Sequence, residues 1–193
     1  MGVTASQVWT FFKNFVCSPA SVGSVVPSSR YLVSAMVSLV EWQHVKHVAE
    51  LGAGTGVITR SIDESRMPDS RFYCFERDEG MRVDLAQRFR NIDFYRDAFM
   101  LRNIINPCNG QGLDCVISGL PFANFRPSER EQILCDVHDC LNPGGTFLAF
   151  QYSRVLQPYL VAAYGKFESR LVWANIPPAF VFLCQKDKSP ENT

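Results

Sequence analysis

The sequence predicts an α/β protein, built on a seven-stranded, mostly parallel sheet with helices on both faces and a C-terminal antiparallel hairpin. Apolar segments of strand length alternate with helical segments along the chain, which is typical of a parallel sheet. The first predicted strand, at residues 46–51, runs into a glycine-rich turn and then a helix. The last two predicted strands are joined by the short segment 175–178, and therefore should pair as a hairpin.

Each element follows from its apolar spacing and its turn residues. Strands are predicted at residues 46–51, 71–76, 92–95, 113–117, 146–151, 168–174 and 179–185. Helices are predicted at residues 6–16, 32–40, 57–62, 79–89, 127–140 and 156–164. We expect a loop over 18–30 with Ser28 or Ser29 as a helix cap, and a turn at 142–145. Three regions result: an N-terminal helical and loop segment (1–44), a core (45–188) and a tail (189–193).

Composition narrows the function classes. The 193 residues are 47% hydrophobic, which favours a globular protein, and 19 basic residues balance 19 acidic ones. Zero net charge disfavours a nucleic-acid partner, because phosphate contacts dominate that affinity. No apolar run reaches the ~18 residues of a membrane span, and no secretory signal is predicted. The seven cysteines lack CxxC spacing, so we expect reduced thiols and a cytoplasmic protein without a metal site.

The glycine-rich turn is the clearest functional signal. Glycines at positions 52, 54 and 56 allow tight turning and let a ligand approach the backbone without meeting a Cβ. Such strand–loop–helix units hold nucleotide-like cofactors at the carboxyl edge of a parallel sheet. Glu50 precedes the first glycine, where its carboxylate would repel a pyrophosphate. A cofactor with a cationic end and no phosphate fits better.

Two further segments follow predicted strands. Glu76 ends the second strand about twenty residues after the last glycine, where such folds place a carboxylate on ribose hydroxyls. The segment Ser118-Gly119-Leu120-Pro121-Phe122 follows the fourth strand. Pro121 has no N–H, so neighbouring carbonyls could point into the site as acceptors. The ring of Phe122 could face an amine that becomes cationic.

The run Glu-Leu-Gly-Ala-Gly-Thr-Gly from Glu50 resembles the first motif of the class I S-adenosylmethionine-dependent methyltransferases. The resemblance implies a Rossmann-like methyltransferase fold with S-adenosyl-L-methionine as cofactor. Arg96 departs from the Gly-Asp-Ala segment that this family often has near the adenine. The cofactor-binding residues that it implies are Glu50, Gly52, Ala53, Gly54, Thr55, Gly56, Glu76, Arg77, Asp97, Ala98 and Ser118.

The bacterial phospholipid N-methyltransferases, which methylate phosphatidylethanolamine toward phosphatidylcholine, resemble the chain more closely, from about residue 11 to 186. The shared segments are Pro27-Ser28-Ser29, the glycine loop, Ser-Gly-Leu-Pro from Ser118, and Trp-Ala-Asn-Ile-Pro-Pro-Ala from Trp173. The resemblance implies a phospholipid substrate. The acceptor-side residues are then Ser118, Leu120, Pro121, Phe122 and Tyr152, with Arg30 and Arg154 as candidates for the lipid phosphate.

Two other functions stay open. The segment from Ser118 is also similar to the amine-binding motif of the rRNA adenine dimethylases, but Gly119 stands where their Asn or Asp holds the base. A non-catalytic cofactor-binding protein of the same fold is the third hypothesis. The aromatic-rich helix at 6–16 is either an interfacial helix, giving peripheral association with the inner face of the membrane, or a lid or core element.

Overall fold

The computed structural model describes residues 27–105, 112–175 and 177–188, so the predicted helix at 6–16 and the tail at 189–193 lie outside the described residues. The strands are β1 (His47–Leu51), β2 (Arg71–Phe75), β3 (Asp93–Tyr95), β4 (Leu113–Ser118), β5 (Leu141–Gln151), β6 (Glu168–Val172) and β7 (Ala179–Gln185). The α-helices are α1 (Pro27–Val37), α2 (Val57–Ser65), α3 (Glu79–Arg88), α4 (Leu101–Ile104), α5 (Pro127–Cys140) and α6 (Gln157–Tyr164). Short 3₁₀ turns occupy Trp42–His44, Ala98–Met100 and Phe122–Asn124.

The seven strands form one sheet in the order β3-β2-β1-β4-β5-β7-β6. The first five pair in parallel, whereas β7 is antiparallel to both β5 and β6. The predicted α/β fold and its C-terminal hairpin are therefore confirmed. The reversed strand is β7, one place in from the edge, and β6 is the edge strand itself.

Two apolar layers cover the two faces of the sheet, as predicted. Successive residues of a strand point to opposite faces, so Val48 of β1 packs in one layer and Ala49 in the other. The first layer includes buried residues of α1, α2 and α3, such as Met36, Ile62 and Leu85. The second layer is built from α4, α5 and α6. Helix α1, predicted as part of the N-terminal segment, thus packs on the sheet.

The structure corrects two element boundaries. Helix α1 begins at Pro27, inside the predicted loop, because proline suits the first turn of a helix, where its missing N–H costs no hydrogen bond. Strand β5 begins at Leu141, so the predicted turn at 142–145 is wrong. Leu141 pairs with Leu113 before a register shift, and the N–H of Gly144 donates to the carbonyl of Lys186.

Asp114 closes the amino edge of the sheet. Its Oδ2 accepts the backbone N–H groups of Lys46 (2.8 Å) and His47 (2.9 Å), and its Oδ1 accepts Asn142 Nδ2 (2.8 Å). These bonds tie β4 to the starts of β1 and β5 at the amino edge of the sheet. Within the described residues, no helix is both long and apolar enough to cross a bilayer.

Candidate active site

The carboxyl ends of β1 and β4 lie side by side at the centre of the sheet. The chain winds outward from β1 through β2 to β3, and then returns to the other side of β1 as β4. In open α/β sheets, a ligand usually binds where the strand order changes direction in this way, in a crevice between the loops that follow the two strands. The glycine loop after β1 and the Ser118–Phe122 segment after β4 are the two loops at this position.

The glycine loop has the shape that its sequence predicts. Gly52, Gly54 and Gly56 have φ values of 80°, 55° and 83°, a region that favours glycine. The backbone N–H of Gly54 donates to Glu76 Oε2 at 2.7 Å, and the Arg88 guanidinium donates to the Thr55 carbonyl at 2.8 Å. The loop is thus held from β2 and α3 with its conformation already set.

The predicted ribose and adenine residues follow β2 and β3 at the same edge. Glu76 also accepts the N–H of Asp78 through Oε1 at 2.8 Å, so each carboxylate oxygen has a backbone donor. Asp97 begins the 3₁₀ turn after β3, and its carboxylate accepts the N–H of Phe99 at 3.1 Å. Arg77 is exposed, whereas Ala98 is buried. Glu76 therefore contacts the glycine loop, whereas Arg77 follows β2, and Asp97 and Ala98 follow β3, at the same edge of the sheet.

Glu50 is a fully buried acid at the end of β1. Burial raises its pKa from 4.5 to about 7, partly offset by Thr59 and Cys74. The Cys74 thiol lies 3.5 Å from Glu50 Oε2. Thr59 lies near enough to lower the pKa, but neither its hydroxyl nor Glu50 Oε1 has a hydrogen-bond partner of good geometry among the described residues. An unpaired buried oxygen at the base of the glycine loop suits a cationic ligand.

The glycine loop and the Ser118–Phe122 segment pack backbone against backbone. A Cβ at Gly119 would lie 2.8 Å from the carbonyl oxygen of Gly52, and a Cβ at Gly52 would lie 3.0 Å from Leu120 Cδ2. The N–H of Gly119 donates to the Leu51 carbonyl at 2.8 Å. This contact explains why glycine stands at 119, where the adenine dimethylases have a larger polar residue.

The predicted free carbonyls near Pro121 are not free, and this prediction is wrong. The Leu120 carbonyl accepts Gln151 Nε2 at 2.8 Å and the N–H of Phe122 at 2.9 Å. The Pro121 carbonyl accepts the N–H of Asn124 at 2.9 Å, because the chain tightens there into a 3₁₀ turn. The hydroxyl of Ser118, buried at the end of β4, accepts the Leu120 N–H at 3.3 Å.

The ring of Phe122 is 0% exposed and packs 5.6 Å from the ring of Phe125. The sequence predicts an amine-facing ring, but the structure places it inside the second apolar layer. Its contribution is therefore to hold the segment down on the sheet. Leu120 and Pro121 are partly exposed and remain the members of this segment that can border an acceptor.

Tyr152 follows β5 and is largely buried, which raises the pKa of its phenol. The Asn175 side chain lowers that pKa in part, so the loop between β6 and β7 reaches the same edge as the glycine loop. Arg154, a candidate for the lipid phosphate, is exposed with its guanidinium 5.1 Å from the Phe180 ring centre. Arg30, the other candidate for the lipid phosphate, is exposed on α1.

Sequence reasoning missed three residues of this edge. Gln151 is buried and anchors the Leu120 carbonyl, Thr59 lies beside the Glu50 carboxylate, and Asn175 is buried beside Tyr152. A glutamine ending an apolar strand directly before Tyr152 is a signal that could have found the first. The other two depend on contacts between distant segments, which spacing alone does not reveal.

A model of the methyltransferase domain matches residues 48–145 of the chain. An ornithine lipid N-methyltransferase from Singulisphaera acidiphila is 31% identical over 184 residues, which cover 91% of this chain and 94% of that protein. This chain belongs to the class I S-adenosylmethionine-dependent methyltransferases. Its cofactor is S-adenosylmethionine, and the glycine cradle together with the unpaired oxygen of Glu50 fits the cationic end of that molecule.

Solved structures of other methyltransferases share the fold. The N-methyltransferase NodS from Bradyrhizobium japonicum has a TM-score of 0.71 at 11% identity, covering 84% of this chain and 98% of that one. The 1,6-didemethyltoxoflavin-N1-methyltransferase from Burkholderia thailandensis, solved with 1,6-didemethyltoxoflavin and S-adenosylhomocysteine, has a TM-score of 0.65 at 16% identity, covering 97% of this chain and 92% of that one. At these identities the similarity supports the methyltransferase fold and leaves the acceptor open.

Proposed function

We propose that this methyltransferase acts on the primary amine of a membrane lipid headgroup, with phosphatidylethanolamine as the substrate and phosphatidylcholine as the end product. The observation that carries the proposal is the relative named for lipid N-methylation, which aligns along nearly the whole of this chain. The zero net charge of the chain favours a lipid over a nucleic acid as acceptor.

The bound cofactor supplies a methyl group on a positively charged sulfur. For this chain, the main task is alignment, since holding two reactants in line can supply several kcal/mol of a barrier. We infer that the Gly52–Gly56 backbone and the Glu76 carboxylate orient the cofactor. Glu50, once ionised, would offset positive charge beside it. We place the acceptor next to Leu120, Pro121 and Tyr152, on the other side of the crevice.

The attacking amine must be neutral. A neighbouring positive charge disfavours the ammonium form and lowers the pKa of the amine, so a dedicated base is unnecessary in this proposal. The Tyr152 phenol, whose pKa is raised by burial, stays protonated at neutral pH and can serve as a hydrogen-bond donor or acceptor. It would position the amine and would not remove its proton.

An ornithine lipid is the second candidate acceptor, because the relative is named for it. Both lipids present a primary amine, but only phosphatidylethanolamine carries a phosphate. Arg154 lies exposed near Tyr152 and is the candidate partner for that phosphate. Replacing Arg154 with glutamine should therefore reduce methylation of phosphatidylethanolamine more than methylation of an ornithine lipid.

The test is incubation of the protein with S-adenosylmethionine carrying a labelled methyl group and a panel of acceptors. The panel contains vesicles of phosphatidylethanolamine, vesicles with an ornithine lipid, soluble amines and rRNA. We expect label in one of the amine lipids and none in the soluble amines or the RNA. Labelled RNA with unlabelled lipid would overturn the proposal, and cofactor binding with no labelled acceptor would favour a non-catalytic protein.

A further inference from the structure

The loop between β6 and β7 holds the most exposed large apolar side chain of the described residues. Trp173 is 74% exposed, although burying an indole is strongly favourable in a folded protein. Because β6 runs in the same direction as β5, this loop lies at the carboxyl edge, beside Tyr152. An exposed indole beside the proposed acceptor site is therefore a candidate contact for another molecule.

The loop is held by its own hydrogen bonds, so the exposure of Trp173 is built into the fold. Asn175 is buried, its Nδ2 donates to the Pro177 carbonyl at 2.6 Å, and its N–H donates to the Val172 carbonyl at 3.3 Å. These bonds fix the backbone on both sides of residue 174. The loop backbone is therefore fixed by hydrogen bonds while the indole of Trp173 remains exposed to solvent.

Two arginines accompany the indole at this edge. The Arg154 guanidinium lies 5.1 Å from the centre of the Phe180 ring, and Arg170 lies on β6, three residues before Trp173. Among the described residues, Arg170 pairs with Glu168 at 3.4 Å, and both of these side chains are mostly exposed, so the pair contributes little. We name Trp173, Arg154 and Arg170 together the β6–β7 tip. It combines one exposed amphipathic aromatic ring with two exposed arginines, one that follows β5 and one on β6.

We propose that the β6–β7 tip is a membrane contact, in which Trp173 inserts at the headgroup level of a bilayer while the two arginines attract anionic lipid. Indole rings concentrate at membrane interfaces because they combine an apolar body with one N–H donor. Arginines near a membrane surface gain attraction from its anionic lipids, and this attraction weakens with salt. The proposal rests on the proposed lipid acceptor, and it places the Tyr152 side of the crevice against the membrane.

A first experiment measures the fluorescence of Trp173 in the presence of lipid vesicles. Vesicles of phosphatidylethanolamine and phosphatidylglycerol that contain a lipid with a shallow nitroxide label should quench Trp173 emission. The parent for this experiment is W9F, because Trp9 lies on the predicted interfacial helix at 6–16. The remaining tryptophan, Trp42, is partly buried with its N–H donated to the Val37 carbonyl at 3.0 Å. In W9F/W173F, the quenched component of the emission should largely disappear. Equal fractional quenching in W9F and W9F/W173F would overturn the proposal.

A second experiment measures binding and activity together. In W173S, the vesicle affinity should fall about tenfold, which equals ~1.4 kcal/mol. Methylation of a short-chain amine lipid kept below its aggregation concentration should stay within about twofold of the parent, since such a lipid needs no docking to a bilayer. V83S is the matched control, because Val83 is an exposed apolar residue on α3 and its loss should leave vesicle affinity unchanged.

The outcomes separate the two proposals. If W173S binds vesicles as tightly as the parent while amine lipids are still methylated, the tip is not a membrane contact and the lipid acceptor stands. If neither the parent nor W173S methylates an amine lipid, the proposed function is wrong, and the membrane contact, which rests on it, loses its basis. Loss of vesicle binding in V83S as well would mean that the effect is not local to the tip, and this result would also overturn the membrane contact.

Discussion

At the scale of single residues, the two acids of the site differ in what satisfies them. Glu76 has a backbone N–H on each carboxylate oxygen, and one of these belongs to the glycine loop. Glu50 is fully buried, and Oε1 lacks a partner among the described residues. Since a buried charge without a partner is costly, the pKa of Glu50 is raised, whereas Glu76 holds the glycine loop and is the residue that we propose for the ribose.

Glu50 should make the cofactor-free protein less stable as pH rises. The folded protein keeps this proton up to a pKa of about 7, whereas the unfolded chain releases it near 4.5. The folded state thus binds more protons between these values, so this contribution is complete below 4.5 and is lost as pH rises to 7. In denaturant unfolding, the free energy of unfolding of E50Q, relative to that of the parent, should rise by up to ~3 kcal/mol between pH 4.5 and pH 8. Parallel pH profiles for the two proteins would contradict the prediction.

Loss of the Glu76 carboxylate should weaken S-adenosylmethionine binding by about 1–3 kcal/mol, the scale for a hydrogen bond to a charged group. E76A removes both the predicted ribose contact and the acceptor that positions the Gly54 N–H. Titration calorimetry measures the change directly. E64Q is the control, because Glu64 is exposed on α2, and an affinity for E76A equal to that of E64Q would remove Glu76 from the site.

At the scale of elements, the site consists of two loops that fit only with glycines where they meet. Gly119 approaches the Gly52 carbonyl, and Gln151 at the end of β5 holds the Leu120 carbonyl from the other side. The segment after β4 is therefore clamped between the loops that follow its two neighbouring strands. Its shape depends on contacts from β1 and β5 more than on its own sequence.

Replacing Gly119 with alanine should push the two loops apart. The new Cβ would meet a backbone oxygen at 2.8 Å, and a backbone cannot turn aside as a side chain can. We expect a loss of about 1–3 kcal/mol of stability, the range for overpacking, together with weaker cofactor binding. Thermal unfolding and calorimetry measure the two effects. G80A on α3, whose Cβ would meet only the Asp78 side chain at 3.3 Å, should stay close to the parent, and equal effects in both variants would contradict this account.

Replacing Gln151 should impair the use of the acceptor without changing the affinity for the cofactor. Q151L leaves the Leu120 carbonyl without its side-chain donor, so the acceptor-side segment loosens while the glycine loop keeps its bonds. We expect a higher acceptor KM and a lower turnover at unchanged cofactor affinity, with a stability cost of about 1–3 kcal/mol. Q185L is the control, because Gln185 makes the same kind of bond to the Gly144 carbonyl at the opposite edge. Kinetics of Q151L that match those of Q185L would exclude a positioning role.

The sequence predicted the elements better than their junctions. Apolar periodicity placed every strand, and glycine spacing placed the loop after β1, because both patterns are local. The start of β5 at Leu141 depends on pairing with Leu113, and the burial of Phe122 depends on Phe125 and the second apolar layer. The Gln151 contact joins positions 31 residues apart. Such features come from tertiary contacts, which override the propensities of short segments.

At the scale of the whole molecule, the two edges of the sheet carry different features. Asp114 ties strands together at the amino edge, while the glycine loop, Glu76, Tyr152 and the β6–β7 tip all lie at the carboxyl edge. The sites that we propose for the cofactor, the acceptor and the membrane therefore share one side of the protein. A lipid amine could reach the crevice there without leaving the bilayer surface.

The N-terminal aromatic helix, which lies outside the described residues, stays a prediction at this scale. Trp9 and Phe12 fall on one side of a helix over 6–16, with Lys13 beside them. If the helix binds the membrane, replacing both aromatics with serine should sharply reduce vesicle binding at unchanged cofactor affinity, since burying an apolar face is favourable. Vesicle co-sedimentation and calorimetry measure the two quantities side by side. V161S serves as the control, and a loss of cofactor affinity would instead indicate a lid.

The position of β7 also has a consequence for biosynthesis. This strand is inserted between β5 and β6, yet it is the last of the seven to leave the ribosome. Until it arrives, β6 has no neighbour, and the apolar edge of β5 is open to pairing with another chain. Synthesis runs from the N-terminus, so the part of the edge that we propose for the cofactor can form while the part proposed for the acceptor is still unfinished. A nascent chain that stalls before Ala179 would therefore present an open sheet edge, and such chains are the ones that chaperones must shield.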